Sequence, residues 1–179
     1  LNLADRGAEV KLILGPSAQD PTHNNITITR VESAEDMYQE SIKRYDACDI
    51  VIAAAAVADY TPANKFSEKL KKEQGTPRIE FQETKDILGV MGKTKKSQFL
   101  VGFALETNDE IDNAKSKLKR KNLDLIVLNS LNDKGAGFQY DTNKITILTK
   151  HNKMLSFELK SKQEVAQDIV NTILSEIDA

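Results

Sequence analysis

Short runs of branched apolar residues alternate with amphipathic stretches along most of the chain. Residues 9–14 (EVKLIL) are followed by Gly15, Pro16 and Ser17, a pattern that predicts a strand ending in a turn. Residues 26–31 (ITITRV) alternate branched and polar side chains, as a strand with one wetter face does. Ser33 predicts the cap of a helix running to about Tyr45. The next apolar run, 49–54, is almost unbroken, which predicts a strand buried on both faces as in a parallel sheet. A short helix comes before a further strand at 100–105. Asn108 is the expected cap of a charged helix ending near Lys121, and 124–128 (DLIVL) follows at once as a strand.

The rhythm breaks twice. Between 61 and 82 the chain turns polar and lysine-rich, with a possible strand at 78–82, and reads as an arm or flap. Towards the C-terminus, 144–149 and 154–160 flank His151, Asn152 and Lys153 as an antiparallel hairpin, and Ser161 with Glu164 forms a capping box that opens a last helix to about Ile177. Strands alternating with helices, joined by right-handed crossovers, predict an α/β fold. The expectation is a Rossmann-like, three-layer, mostly parallel sheet with a lysine-rich arm and a C-terminal β-hairpin plus helix.

Composition narrows the function classes. A chain of 179 residues, 40% hydrophobic, has enough material for one well-filled core, so 1–179 is expected to be a single domain. A net charge of -2 argues against a general polyanion binder, so nucleic acid is not an expected partner. Cys48 is the only cysteine, which excludes an internal disulfide framework and fits a reducing compartment. No apolar run approaches the roughly 20 residues that span a bilayer, and the expectation is a soluble cytoplasmic protein with no membrane partner. Residues 1–7 read as the last turns of a helix closed by Gly7, so an upstream strand, loop and helix start are expected ahead of this segment.

Ligands in open α/β sheets gather beyond the carboxyl ends of the strands. Those ends are Gly15 with Pro16, the stretch 53–59, the stretch 102–106, and Asn129. In 49–60 (DIVIAAAAVADY) an apolar strand runs into four alanines, where no side chain longer than a methyl keeps a planar ligand from the backbone. Phe103 is either a stacking platform for a base or an ordinary core aromatic. Asp59 either helps hold magnesium and a nucleotide or makes an Asx turn before Pro62. Lys69, Lys71 and Lys72 either reach a phosphate from the arm or form a solvated face. Lys117 and Lys121, four apart, project from one helix face and either clamp a triphosphate or complement the helix dipole.

Five strings in order, AAAVADY (54–60), EKLKK (68–72), KDIL (85–88), VGFALET (101–107) and KNLDLIVLN (121–129), closely resemble phosphopantothenoylcysteine synthetase over nearly the whole chain. That resemblance implies a ligase joining 4'-phosphopantothenate to L-cysteine through an acyl-cytidylate made from CTP, with Mg2+, in coenzyme A biosynthesis. It also implies a homodimer, to which the arm and the hairpin region contribute, and a possible fusion to a flavin-dependent decarboxylase domain. Carried over by position, Ala53, Ala54 and Ala55 match the loop whose backbone faces the cytosine. Asp59 matches the nucleotide-binding acid and is the candidate metal ligand. Lys69 matches the first lysine of the arm, which is associated with turning the acyl-cytidylate into product and is the expected catalytic residue. Lys85, Asp86, Ile87 and Leu88 match a stretch near the nucleotide, with Lys85 standing where the bacterial pattern often has proline. Phe103, Lys117 and Lys121 match the remaining nucleotide contacts. The family's glycine-rich first loop, and the asparagine that stabilises the acyl-cytidylate, are expected upstream of Leu1.

Two other readings come from different classes. A dinucleotide-binding oxidoreductase would need an acid at the end of its second strand, whereas Gly15, Pro16 and Ser17 follow Leu14. A non-catalytic nucleotide-binding module would use the arm lysines to contact a protein partner instead.

Overall fold

The structure is a computed structural model, and it describes residues 1–64, 78–130 and 140–178. A 3₁₀ turn at Ala4–Arg6 is closed by Gly7 at φ 91°, a left-handed conformation that glycine adopts without steric cost. There follow β1 (Val10–Leu14), β2 (Ile26–Arg30), α1 (Ala34–Tyr45), β3 (Ile50–Ala53), β4 (Tyr60–Pro62) and β5 (Phe81–Glu83). Next come α2 (Ile87–Thr94), β6 (Phe99–Glu106), α3 (Glu110–Arg120) and β7 (Leu125–Ser130). The chain closes with β8 (Thr142–Asn143), β9 (Ile145–Thr149), β10 (Met154–Ser156), β11 (Lys160–Ser161) and α4 (Lys162–Ile177).

The central sheet has the order β10-β9-β7-β6-β3. Strands β3, β6 and β7 run parallel, while β9 and β10 join antiparallel through the hairpin. Side chains alternate between the faces of the sheet, and two cores result. On one face Leu100, Ala104, Ile126 and Leu128 pack with Tyr45 of α1, Leu88 and Met91 of α2, and Ala114 of α3. On the other, Phe99, Val101, Leu125, Val127, Ile145 and Ile147 pack with Val165, Ile169 and Ile173 of α4. Fully burying each such aliphatic side chain is worth about 1.5–3 kcal/mol. This three-layer α/β arrangement is the expected fold class.

Local chemistry explains where the helices start. At α1 the Ser33 hydroxyl accepts from the Asp36 amide while the Asp36 carboxylate accepts from the Ser33 amide, and Ser161 with Glu164 does the same for α4. Each such cap is worth about 1 kcal/mol. The cap of α3 departs from expectation. Asp109, at φ 46°, precedes the helix with no side-chain bond to it. Asn108 instead offers its carbonyl to Asn113 Nδ2 at 2.9 Å.

Three further details depart from the sequence pattern. Strands β1 and β2 form their own parallel pair, and no ladder joins either to the central sheet among the described residues. Among the described residues β3 pairs with β6 alone, and its residues are half-buried despite their apolar run. An apolar pattern reports a strand's company in general, not how many neighbours it has. Beyond the hairpin, 154–160 is divided: β10 pairs with β9, while β11 pairs with β8 and leads into α4.

Candidate functional site at the carboxyl ends of β3 and β6

At the end of β3, Ala53 sits opposite Gly102 of β6. Neither carries a side chain beyond a methyl; Gly102 is buried and Ala53 half-buried. One face of this patch is roofed by α2. A Cβ built on Gly102 would lie 2.9 Å from Leu88 Cδ2 and 2.8 Å from Leu123 Cδ1, so glycine is what lets these two side chains approach the strand. Ala54 and Ala55 continue outward and are exposed.

The loop that carries the alanines is tied to the approach of α2. Thr84 donates its amide to the Asp59 carbonyl at 2.8 Å and its hydroxyl to the Ala58 carbonyl at 2.7 Å. Asp86 then caps α2, accepting the Gly89 amide at 2.9 Å. The same carboxylate oxygen accepts from Lys121 Nζ at 2.7 Å. Burial opposes ionisation of Asp86, but the bonds from Lys121 and Gly89 outweigh it and hold the carboxyl below its ordinary range. A second lysine enters from α3: Lys117 donates to the Phe103 carbonyl at 2.8 Å. Burial, then the charge of Lys121, pushes the Lys117 ammonium down. Two cations, the start of α2 and the backbone of β6 thus meet on the α2 side of the small-residue patch.

Other expected site residues take different positions. The Lys85 ammonium points to α1, 2.7 Å from Glu35 Oε1 and 4.5 Å from the centre of the Tyr38 ring. Ile87 and Leu88 pack into the core, leaving their backbone for any ligand. Phe103 directs its half-buried ring to the α4 face, away from Lys117. Asp59 is exposed, and no group of three or more His, Cys, Asp or Glu side chains gathers to hold a metal among the described residues. Lys69, with Lys71 and Lys72, lies outside the described residues.

Two groupings were not foreseen from sequence. Asp124, 3% exposed, accepts from the Leu100 amide at 2.8 Å, from Lys150 Nζ at 2.7 Å and from Lys95 Nζ. It precedes β7, at the opposite end of the sheet from the alanines, and fastens β6, β9 and the end of α2. The other grouping is an amide pair: Asn143 Nδ2 donates to Asn129 Oδ1 at 3.1 Å, at the carboxyl end of β7. Only an acid abutting an apolar strand, and an asparagine at a strand end, hinted at them.

The sequence profile of the DNA/pantothenate metabolism flavoprotein C-terminal domain matches residues 1–177. The chain belongs to that family. Among curated members it is 53% identical over 173 residues to a cysteine/cysteine sulfinic acid decarboxylase of an unknown prokaryotic organism, covering 96% of this chain and 48% of that protein. It is 45% identical over 167 residues to the coenzyme A biosynthesis bifunctional protein CoaBC of Bacillus subtilis (strain 168), covering 93% of this chain and 41% of that protein. The chain therefore spans about half the length of these curated relatives or less. Among solved structures, the C-terminal domain of a coenzyme A biosynthesis bifunctional protein CoaBC superposes with a TM-score of 0.81 at 35% identity, covering 98% of this chain and 78% of that one. The mostly parallel sheet with helices on both faces is thus the fold of this family's C-terminal domain.

Proposed function

We propose that this domain is the phosphopantothenate–cysteine ligase part of a coenzyme A biosynthesis enzyme, using CTP. The observation that carries the reading is the gathering of Lys117 on the Phe103 carbonyl and Lys121 on the Asp86 cap of α2, beside the small-residue strand positions Ala53 and Gly102 and the exposed alanines that follow. A flat base needs side-chain-poor backbone, and a triphosphate needs cations, so one nucleotide answers both. The match to the CoaBC C-terminal domain supports the same reading. The decarboxylase similarity involves a protein about twice as long, so its name can describe the part this chain does not match.

In the proposed reaction a carboxylate oxygen of 4'-phosphopantothenate attacks the α-phosphorus of CTP. A phosphorus–oxygen bond forms, and the bond to pyrophosphate breaks. The cysteine amine then attacks the acyl carbon, forming the amide, losing a proton and releasing CMP. A bare carboxylate is a poor electrophile, and cytidylyl transfer converts its oxygen into part of a leaving group, CMP. Lys117 and Lys121 would hold the phosphates in line and offset their charge, worth several kcal/mol in such transfers. Lys69 is proposed to act on the acyl-cytidylate after activation.

Magnesium fits the donor set in a limited way. Asp59 is one exposed carboxylate beside the alanine ledge, and Mg2+ is commonly held by one or two carboxylates plus substrate phosphates. The ion would supply charge neutralisation between those phosphates. The homodimer is likewise a proposal, supported by exposed Tyr60, Ile79 and Phe81 on and beside the β4–β5 ribbon. No described helix is long and apolar enough to cross a membrane, and a cytoplasmic location follows only from the proposed pathway.

The test is a pyrophosphate-release assay on the full-length protein with phosphopantothenate, cysteine and each of the four ribonucleoside triphosphates. Release that is strongest with CTP and yields the cysteine adduct is expected. No release with any of the four would overturn the proposal.

A further inference from the structure

We infer that Asn122 is a positioning residue for Lys121: its side chain ties the turn after α3 to the end of α2, so that the Lys121 ammonium is held at the start of that helix before any phosphate arrives. This rests on the ligase reading and adds to it a residue that acts only through the lysine beside it.

The turn does two jobs. Asn122 has φ 51°, in the left-handed region. Its amide donates to the Lys119 carbonyl at 3.2 Å, and the Leu123 amide donates to the Leu118 carbonyl at 2.9 Å, the two bonds of a Schellman ending to α3. Glycine meets that backbone demand at no steric cost, so the turn by itself does not account for an asparagine. What the side chain adds is a bond to a second helix: Asn122 Nδ2 donates to the Gly92 carbonyl at 3.0 Å. Gly92 lies in the last turn of α2, where carbonyls have no partner within the helix. Lys95 Nζ, from just beyond α2, donates to the Asn122 carbonyl at 3.2 Å and closes the same junction with a second bond.

This junction seats Lys121, the residue before. The Lys121 carbonyl lies so close to Gly92 that a Cβ there would stand 1.9 Å from its oxygen, while the Lys121 ammonium lies 2.7 Å from Asp86 Oδ1 at the other end of α2. At a rise of about 1.5 Å per residue, the step from Gly92 back to Asp86 covers about 9 Å, so the lysine side chain runs back along the helix with both of its ends anchored. Repulsion works against this placement, since the charges of Lys121 and Arg120 both bear on the Lys117 ammonium. Like charges kept together in this way suit a polyanion such as a triphosphate. The tie at Asn122 is one of the two anchors. Without it the backbone of Lys121 is free to draw away from α2, and the phosphates must then order a lysine that is no longer held. Immobilising one such side chain weakens binding by about three- to tenfold.

The experiment measures the CTP dissociation constant by calorimetric titration, with melting curves and kcat for pyrophosphate release, in the full-length wild-type protein, Asn122→Gly, Lys121→Met and the double variant. Asn122→Gly keeps the left-handed turn and removes only the tie. The expected result is CTP binding weaker by about three- to tenfold in Asn122→Gly, with kcat at saturating CTP changed by less than about twofold and Tm within a few degrees of wild type. In the Lys121→Met background the same glycine change is expected to alter CTP binding by less than about twofold, because the residue it acts through is gone. A purely structural role would give the same loss in both backgrounds. Unchanged CTP affinity in Asn122→Gly, or a loss of equal size with and without Lys121, would overturn the inference while leaving the ligase reading intact. Absence of CTP binding by the wild-type protein would remove the ligase reading, and this inference with it.

Discussion

Lys121, beyond the end of α3, places its ammonium 2.7 Å from the Asp86 carboxylate that caps α2. One ion pair thus fixes the direction of a lysine and the start of the helix beside the alanine ledge. Its carboxylate side is half open to solvent, at 55% exposure against 16% for the lysine, so its contribution to folding is small, about 0–1 kcal/mol. Its larger role in this account is positional. Lys121→Met is expected to lower Tm by no more than a few degrees while raising the CTP dissociation constant about tenfold, measured by calorimetric titration.

Lys117 is a different kind of lysine. Burial disfavours its charge, and it donates a hydrogen bond to the Phe103 carbonyl. Because its folded pKa lies below the ordinary lysine value, the charged form costs stability at neutral pH, and the cost is relieved as pH rises through the folded value. Lys117→Met should therefore keep or slightly raise Tm at pH 7 yet weaken CTP binding about tenfold or more. In the wild-type enzyme, CTP affinity should begin to fall at a pH below the ordinary lysine range.

Gly92 lets α2 touch the turn that follows α3. A Cβ there would stand 1.9 Å from the Lys121 carbonyl oxygen, an atom of the backbone that cannot rotate aside. Gly92→Ala should cost about 1–3 kcal/mol or more in urea unfolding, although alanine is the better helix former. Since the displaced backbone belongs to Lys121, CTP affinity should drop with it.

Asp124 tests stability apart from the site. Its burial raises the carboxyl pKa, but the bonds from Lys150, Lys95 and the Leu100 amide outweigh this, and the net shift is downward. Stability from a depressed carboxylate is fully present above an unfolded value of about 3.9 and is lost as pH falls through the folded value. Asp124→Asn should destabilise by about 3 kcal/mol at pH 7, because two lysines lose their counter-charge. Urea titrations from pH 7 to pH 3 should show the gap to wild type closing below about pH 4. Activity of the folded variant at low temperature should be unchanged.

Elements whose signals are local were legible in the sequence. Period-2 and near-continuous apolar runs gave β1, β2, β6 and β7, and the Ser33–Asp36 and Ser161–Glu164 caps mark the starts of α1 and α4. What escaped depends on partners far along the chain. Asp86 meets Lys121, Asp124 meets Lys95 and Lys150, and Lys85 turns to Glu35 and Tyr38, and no residue period encodes such meetings. The pairing of β1 with β2, and not with the central sheet among the described residues, is of the same kind, because an apolar strand carries no record of which strand it joins. Within the site, the small residues at Ala53 and Gly102 and the lysine pair on α3 were readable from spacing. The meeting of Asn129 with Asn143 was not, since it joins two strands far enough apart in the chain that no residue period encodes it.

The most direct test is calorimetric titration of CTP into the full-length protein and its Ala54→Leu variant. Ala54 is exposed, so the leucine fits without disturbing the core, yet it would stand on the ledge where the base is expected to lie. CTP binding to the wild-type protein, weakened about tenfold or more in a variant with unchanged Tm, is the predicted result. Equal CTP affinity in the two proteins, or no CTP binding by the wild type, would contradict the account.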